Sequence, residues 1–346
     1  MNYKGIAFFL GIYIFLVSIF SIINIFYSIY FDFIIGLNSY LITFSISLLL
    51  SILFYFLGRN YNKDISIVDQ IIFIFLSFSL IPFLISIPYF SSIYDIDLLN
   101  AYFESVSGYT TTGFSIIFNI SDIDEPLKLW RSSSQWMGGL LFILVTIGTI
   151  GSKQVKIKPA YLISGGASGK NFYNNFNSNF IKILLIYFFS TIIIIFLYSL
   201  CDLRLLDSVN LALTSISAGG FLPSESLAEI LKNNIQVFVF AITLLFPIFN
   251  FFLIYDLVRN KFFLKNHYED LHLGLFIILL TIFFYFFAIT GENFSNVLLA
   301  ITSSISTSGV SIFSTNLDFS LFFILLTIVG GSLISTSSGF KYTRIY

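Results

Sequence analysis

Three short segments of this chain carry residues whose types and spacing could do chemistry: Thr110-Thr111-Thr112-Gly113, Ser217-Ala218-Gly219-Gly220 and Ser306-Thr307-Ser308-Gly309. Aligned on the last glycine, each has a small hydroxylated residue three positions earlier: Thr110, Ser217 or Ser306. None contains a carboxylate, so the ligands they offer are backbone carbonyls and hydroxyls. Neutral oxygens of this kind suit a hard monovalent cation, because carbonyl dipoles bind it loosely enough to let it go. They argue against a calcium-type ring of acids. Aiming successive carbonyls at one axis requires positive φ, which glycine adopts at little steric cost. At a single site, close helix packing would explain Gly, Ser and Thr equally well. Three aligned copies, each behind a short apolar stretch, favour an ion filter.

Membrane helices must position these segments. The 346-residue chain is 57% hydrophobic and only 10% charged, with mean hydropathy +0.93, whereas soluble domains are about 25% charged. The expected class is an all-α integral membrane protein. Apolar runs long enough to cross roughly 30 Å of hydrocarbon cover 5–27, 39–57, 67–89, 129–150, 181–200, 235–255, 273–289 and 313–334. The first is too long for a signal-peptide core and reads as a span. Three further runs, 98–106, 208–216 and 295–303, are too short to cross, and each precedes a glycine segment. After an initial helix pair the chain therefore repeats one unit of span, half-helix, glycine loop and span. This self-similarity marks a repeat architecture. The division is an N-terminal hairpin over 1–64 and pore repeats over 65–165, 166–258 and 259–346.

Charge gives an independent topology. With a cytoplasmic N-terminus, the inner side holds all 17 basic residues except Lys128, Arg131, Arg204 and Lys232, which is the positive-inside pattern. The outer side holds all 18 acids except Asp64, Asp69, Asp256, Glu269 and Asp270. The glycine loops then open outward beneath an acidic rim that concentrates cations. A single cysteine, Cys201, excludes an intramolecular disulfide and a cysteine-built metal site. His267 and His272 match no helical metal pair and read as solvated loop residues. The run Gly165-Gly166-Ala167-Ser168-Gly169-Lys170 lacks the glycine, the hydroxyl and the preceding strand of a phosphate loop, and reads as a cytoplasmic loop. The spans are almost free of ionisable groups. That argues against a membrane-embedded enzyme and against an ion-coupled solute transporter.

The run Phe103-Glu104-Ser105-Val106-Ser107-Gly108-Tyr109-Thr110-Thr111-Thr112-Gly113-Phe114 resembles the first pore loop of the Trk/Ktr/HKT superfamily, closest to its bacterial TrkH branch. Trp130-Arg131-Ser132 with Gln135-Trp136-Met137-Gly138-Gly139 is similar to the start of the helix after that loop. The segments around Gly220 and Gly309 resemble the second and third filters. Gly330-Gly331-Ser332 with Ser335-Thr336-Ser337-Ser338-Gly339-Phe340-Lys341 resembles the glycine-rich helix break after the third filter, where unwound backbone would line the cavity and act as a gate. The resemblance implies four repeats around one pore and potassium as the transported ion, with no covalently bound cofactor. It also implies a homodimer gated by a cytosolic nucleotide-binding ring of the Trk A or Ktr A type. No nucleic-acid partner is expected. A glycine at each filter position implies a preference for potassium over sodium. Glu104 reads as a carboxylate tying down the loop rather than an ion ligand, and Arg131 and Gln135 as structural. Lys341 reads either as a gate residue or as a cytoplasmic anchor that snorkels. The chain ends at Tyr346, just past the break, so the fourth repeat is expected to be missing. Either a separately encoded fragment or another copy of the chain would then supply it, or the protein is a transport-inactive remnant; this polypeptide alone is expected to carry no potassium-selective current.

Overall fold

The computed structural model describes residues 2–60, 66–91, 94, 96–150, 176–258, 267–289, 291–312 and 317–345. Among these, all regular structure is helical. They form two compact units, one up to Gly138 and one from Gly139 onward. The run at 165–170 lies outside the described residues.

The first unit contains α1 (Tyr3–Tyr30), α2 (Ile34–Gly58), α3 (Ile67–Ile85), α4 (Ile87–Phe90), α5 (Leu98–Tyr109) and the beginning of α6 (Glu125–Ile150). Lipid tails are as apolar as leucine, so close packing rather than water exclusion must join α1 to α2. Small residues permit it. A Cβ on Gly58 would overlap the backbone of Lys4 and Phe8, and Ser51 Oγ donates to the Gly11 carbonyl at 2.8 Å. A capping box between Ser66 and Asp69 starts α3, and Asp69 also accepts from the Asn2 N–H at 2.8 Å. That second bond ties the start of α3 to the start of α1. Large apolar side chains such as Leu49, Phe56 and Phe75 remain exposed, as a lipid-facing surface requires.

The second unit contains the rest of α6, α7 (Phe176–Leu200), α8 (Leu205–Ser217), α9 (Leu227–Ile230), α10 (Asn234–Thr243), α11 (Leu245–Ile248) and α12 (Phe251–Val258). It continues with α13 (Tyr268–Phe283), a π-helical turn (Phe284–Ala288), α14 (Phe294–Ser306), α15 (Leu317–Val329) and α16 (Tyr342–Ile345). Ile248, Leu273, Val297, Ile301, Ile305 and Leu326 share one buried cluster. The half-helix α14 is thereby wedged among α11, α13 and α15.

The three half-helices α5, α8 and α14 have 12, 13 and 13 residues. At about 1.5 Å per residue they fall well short of a bilayer. They run one to three residues further than the apolar patterns, up to the residue at which each chain turns. Among the described residues, five helices are long and apolar enough to cross a membrane, or six if a bent pair counts as one span. The protein is a multi-pass membrane protein.

Three expected spans are corrected. The run 129–150 lies in the 26-residue α6, which is long enough to cross but, with Arg131, three serines and Gln135 in its first half, is not among the helices apolar enough to do so. The run 235–255 is not one helix: Asn234–Ile248 and Phe251–Leu257 meet at 105°. Asn250 restarts the chain there, its Oδ1 accepting from the Phe252 N–H at 3.0 Å as an N-cap. Hydropathy could not reveal the bend because both arms are apolar. The run 313–334 stops being helical at Val329, and Gly330 takes φ 67°.

Candidate functional site

In the first unit, α5 ends in a tight reversal. The Thr111 N–H donates to the Gly108 carbonyl at 3.0 Å and the Thr112 N–H to the Ser107 carbonyl at 2.9 Å. These two bonds make a Schellman motif, with Thr111 at φ 56° and Gly113 at φ 82°. A β-branched residue in the left-handed region is a true outlier and costs about 1–3 kcal/mol. Its neighbours must therefore hold it there. Thr110 and Thr112 hydroxyls bond each other at 2.7 Å, and Ser107 Oγ donates to the Phe114 carbonyl. Behind the loop, fully buried Glu104 accepts from Arg131 Nε at 3.0 Å, from Ser115 Oγ at 2.9 Å and from the Ile116 N–H at 2.9 Å. Arg131 Nη2 also donates to Ser115 Oγ at 2.9 Å. Glu104 touches the strand leaving the loop, not the loop's own carbonyls.

In the second unit, α8 and α14 end by the same path. Ala218 and Thr307 take φ 58° and 66°, followed two residues later by Gly220 at 84° and Gly309 at 68°. The paired bonds recur. Ala218 N–H reaches Ser215 O at 3.1 Å and Gly219 N–H reaches Thr214 O at 2.9 Å. Thr307 N–H reaches Ser304 O at 3.1 Å and Ser308 N–H reaches Ser303 O at 3.1 Å. Ser217 and Ser306 turn their hydroxyls back onto helix carbonyls. The two loops adjoin, because a Cβ on Gly220 would overlap the Ser308 carbonyl oxygen, whereas one on Gly309 would meet nothing within 4 Å.

The break after α15 lies against both of these loops. Thr336 Oγ1 donates to the Ile216 carbonyl at 2.9 Å, at the end of α8. Ser338 and Thr307 hydroxyls bond each other at 3.0 Å. Within the break, Ser337 Oγ accepts from the Gly331 N–H at 3.0 Å, and the Tyr342 N–H donates to the Gly331 carbonyl at 2.9 Å. Gly330 and Gly339 face each other too closely for any side chain. Ser335, Thr336 and Ser337 are buried and Ser338 is exposed. Lys341 is buried at φ 73°, its Nζ donating to the Ser335 carbonyl and hydroxyl and to the Ser337 carbonyl, above the Phe142 ring. It is not a snorkelling anchor, since its charge is turned inward onto loop oxygens.

No family model matches the chain. Over 43% of its length it is 32% identical to the Trk system potassium uptake protein TrkI of Halomonas elongata, but it spans only 29% of that protein. Over 99% of its length it is 26% identical to an uncharacterised cation transporter of Methanocaldococcus jannaschii, of which it spans 70%. Its whole length superposes on 74% of the crystal structure of the potassium transporter TrkH from Vibrio parahaemolyticus, with TM-score 0.82 and 19% identity. The chain is thus similar in sequence to Trk-type potassium uptake proteins and shares the TrkH fold.

One group of residues was missed in the sequence. His267 is not solvated but 2% exposed, between Asp256 and Asp270. His272, five residues on, is exposed. An isolated His in a charged loop carries no local signal of burial. The one available hint was the pair of acids directly after it, Glu269 and Asp270, at the foot of an otherwise apolar run.

Proposed function

We propose that this chain is a TrkH-type potassium-uptake subunit of the cytoplasmic membrane. Thr110–Gly113, Ser217–Gly220 and Ser306–Gly309 each lend carbonyls to a potassium filter. The break at 330–341, with Lys341, gates the path beneath it. The observation that carries this reading is one backbone path repeated at the ends of three helices too short to cross: a left-handed residue, one of negative φ, then a left-handed glycine. Alternating the sign of φ turns successive carbonyls to one side, as an extended strand does not. Each half-helix also presents its C-terminus, the negative end of its dipole, to the loop, which favours a cation there. The polar break resting on two of the loops supports a gate at that level. The homodimer, the cytosolic nucleotide-binding ring and the cytoplasmic N-terminus belong to the same proposal, on the resemblance and the charge bias.

The test is growth of a potassium-uptake-deficient bacterium carrying the protein, followed by flux in liposomes. Growth at low potassium is expected when a chain carrying a fourth repeat is supplied as well, and Gly113→Ser should then lower the potassium-to-sodium permeability ratio, because a side chain restricts positive φ and adds a hydroxyl beside the ion. Equal ratios for the two proteins would remove the filter role of this loop.

A further inference from the structure

Two interruptions of helix meet at one place in the second unit. The bend between α11 and α12 and the break after α15 each leave backbone groups without helical partners, and they serve one another. Ser332 N–H donates to Ile248 O at 2.8 Å, Ser337 N–H to Pro247 O at 3.0 Å, and Phe251 N–H to Ile334 O at 2.7 Å. The first turn of α13 closes the junction from a third side. Asp270 Oδ1 accepts from the Asn250 N–H at 2.8 Å and from Ser332 Oγ, and Glu269 Oε1 accepts from the Leu333 N–H at 2.9 Å. Two adjacent carboxylates on one helix thus grip the break, and Asp270 grips the bend as well. Both are buried.

His267, just before α13, stands between two carboxylates. Its Nε2 is 3.2 Å from Asp256 Oδ2 on α12, and its Nδ1 is 3.6 Å from Asp270 Oδ2. A neutral imidazole has one N–H and can donate to only one of them, whereas an imidazolium donates to both. The Asp270 oxygen facing His267 is the partner of the one that grips Asn250 and Ser332. Among the described residues, the other charged groups at the junction are Glu269 on α13 and, from the break, Lys341, which lies within electrostatic reach of Glu269 and of Arg344 on α16.

We propose that Glu269 and Asp270 are positioning residues for the break at 330–341, and that protonated His267, bridging Asp256 and Asp270, latches them in place. The inference rests on reading the break as a gate. Burial alone would push His267 down, but hydrogen bonds and charge from Asp270 and Asp256 outweigh it and raise its pKa above the ordinary 6.5. A group raised on folding contributes fully below its unfolded pKa and loses that contribution as pH rises through the folded one. The latch is therefore closed in mild acid and released by alkalinisation.

The test uses the full chain in lipid nanodiscs with Cys201→Ser and the reporter Leu333→Cys, whose side chain is buried behind the bond to Glu269. Its modification rate by a small charged thiol reagent, divided by that of an exposed cysteine in the same protein to remove the thiolate's own pH dependence, is followed from about pH 6 to pH 8, with potassium flux measured on the same chain in liposomes, the fourth repeat supplied. This normalised rate should rise severalfold as the latch is released. His267→Gln and Asp270→Asn should be fast and should lose most of the pH dependence, Lys341, lowered to about 7 by burial, supplying what remains. Glu269→Gln still accepts from the Leu333 N–H, so it should keep the pH dependence. A flat profile with His267 present, or an unchanged profile in His267→Gln, overturns the latch. Should His267→Gln not fold, an NMR titration of His267 in a His272→Gln chain decides. A midpoint above 6.5 that Asp256→Asn lowers is expected, and one that Asp256→Asn leaves in place overturns the proposal. The thiol readout needs no transport. A pH-dependent rate without potassium flux therefore counts against the proposed function alone, and flux with a flat rate counts against the latch alone.

Discussion

Behind the loop at Thr110–Gly113 stands a buried ion pair, Glu104 with Arg131, whose carboxylate also holds the outgoing strand. Behind the loops at Ser217–Gly220 and Ser306–Gly309 stand helix carbonyls, serine hydroxyls and bare glycine backbone. The backbone path is the same in all three. The difference teaches that a Schellman reversal with a left-handed residue that is not glycine can be held in two ways. One is by charge, which fixes a loop through a few strong, long-reaching bonds. The other is by contact so close that no Cβ fits. The first fails when a charge is lost, although Gly138 also leaves no room for a Cβ against the Tyr109 carbonyl at the end of α5. The second is indifferent to charge and fails when an atom is added.

The largest expected effect removes the charge. Arg131→Ala leaves Glu104 buried without its cation and should cost about 3–5 kcal/mol, read as the steepest drop in thermal-melt midpoint in detergent. A drop below that of Gly220→Ala would break the contrast between the two modes. Next comes the added atom. Gly220→Ala must displace the Ser308 carbonyl and also strains a positive φ, together about 2–4 kcal/mol. Gly309→Ala meets open space and should show only the conformational part, about 1–2 kcal/mol. Comparing the two melts isolates the contact between the second and third loops, and equal losses would mean it carries no weight. The smallest effect has the opposite sign. Thr111→Gly relieves left-handed strain while adding unfolded-state entropy, so the net gain should be below about 1 kcal/mol. A clear loss of stability would mean that the Thr111 side chain holds the loop beyond its backbone path.

The sequence by itself determined what short-range pattern can encode. Runs of about 20 apolar residues specified spans, because crossing the bilayer sets a length. Runs of about half that length ahead of Gly113, Gly220 and Gly309 specified the re-entrant half-helices and located their turns to within a few residues. Even the loop-tying role of Glu104 was legible, since a carboxylate in a half-helix has few other uses. Only the tertiary structure decided the rest. The bend at Phe249–Asn250 lies inside an apolar run whose composition is the same on both sides. The inward turn of Lys341 onto Ser335 and Ser337 and the enclosure of His267 by Asp256 and Asp270 depend on how the chain folds back on itself, which composition does not show. Asp270 finds Ser332 62 residues away, Glu269 finds Leu333 64 away, and Thr336 finds Ile216 120 away. Where helices are broken in lipid, the orphaned backbone groups must find partners wherever the fold can bring them, and that demand leaves no periodic trace in the sequence on either side.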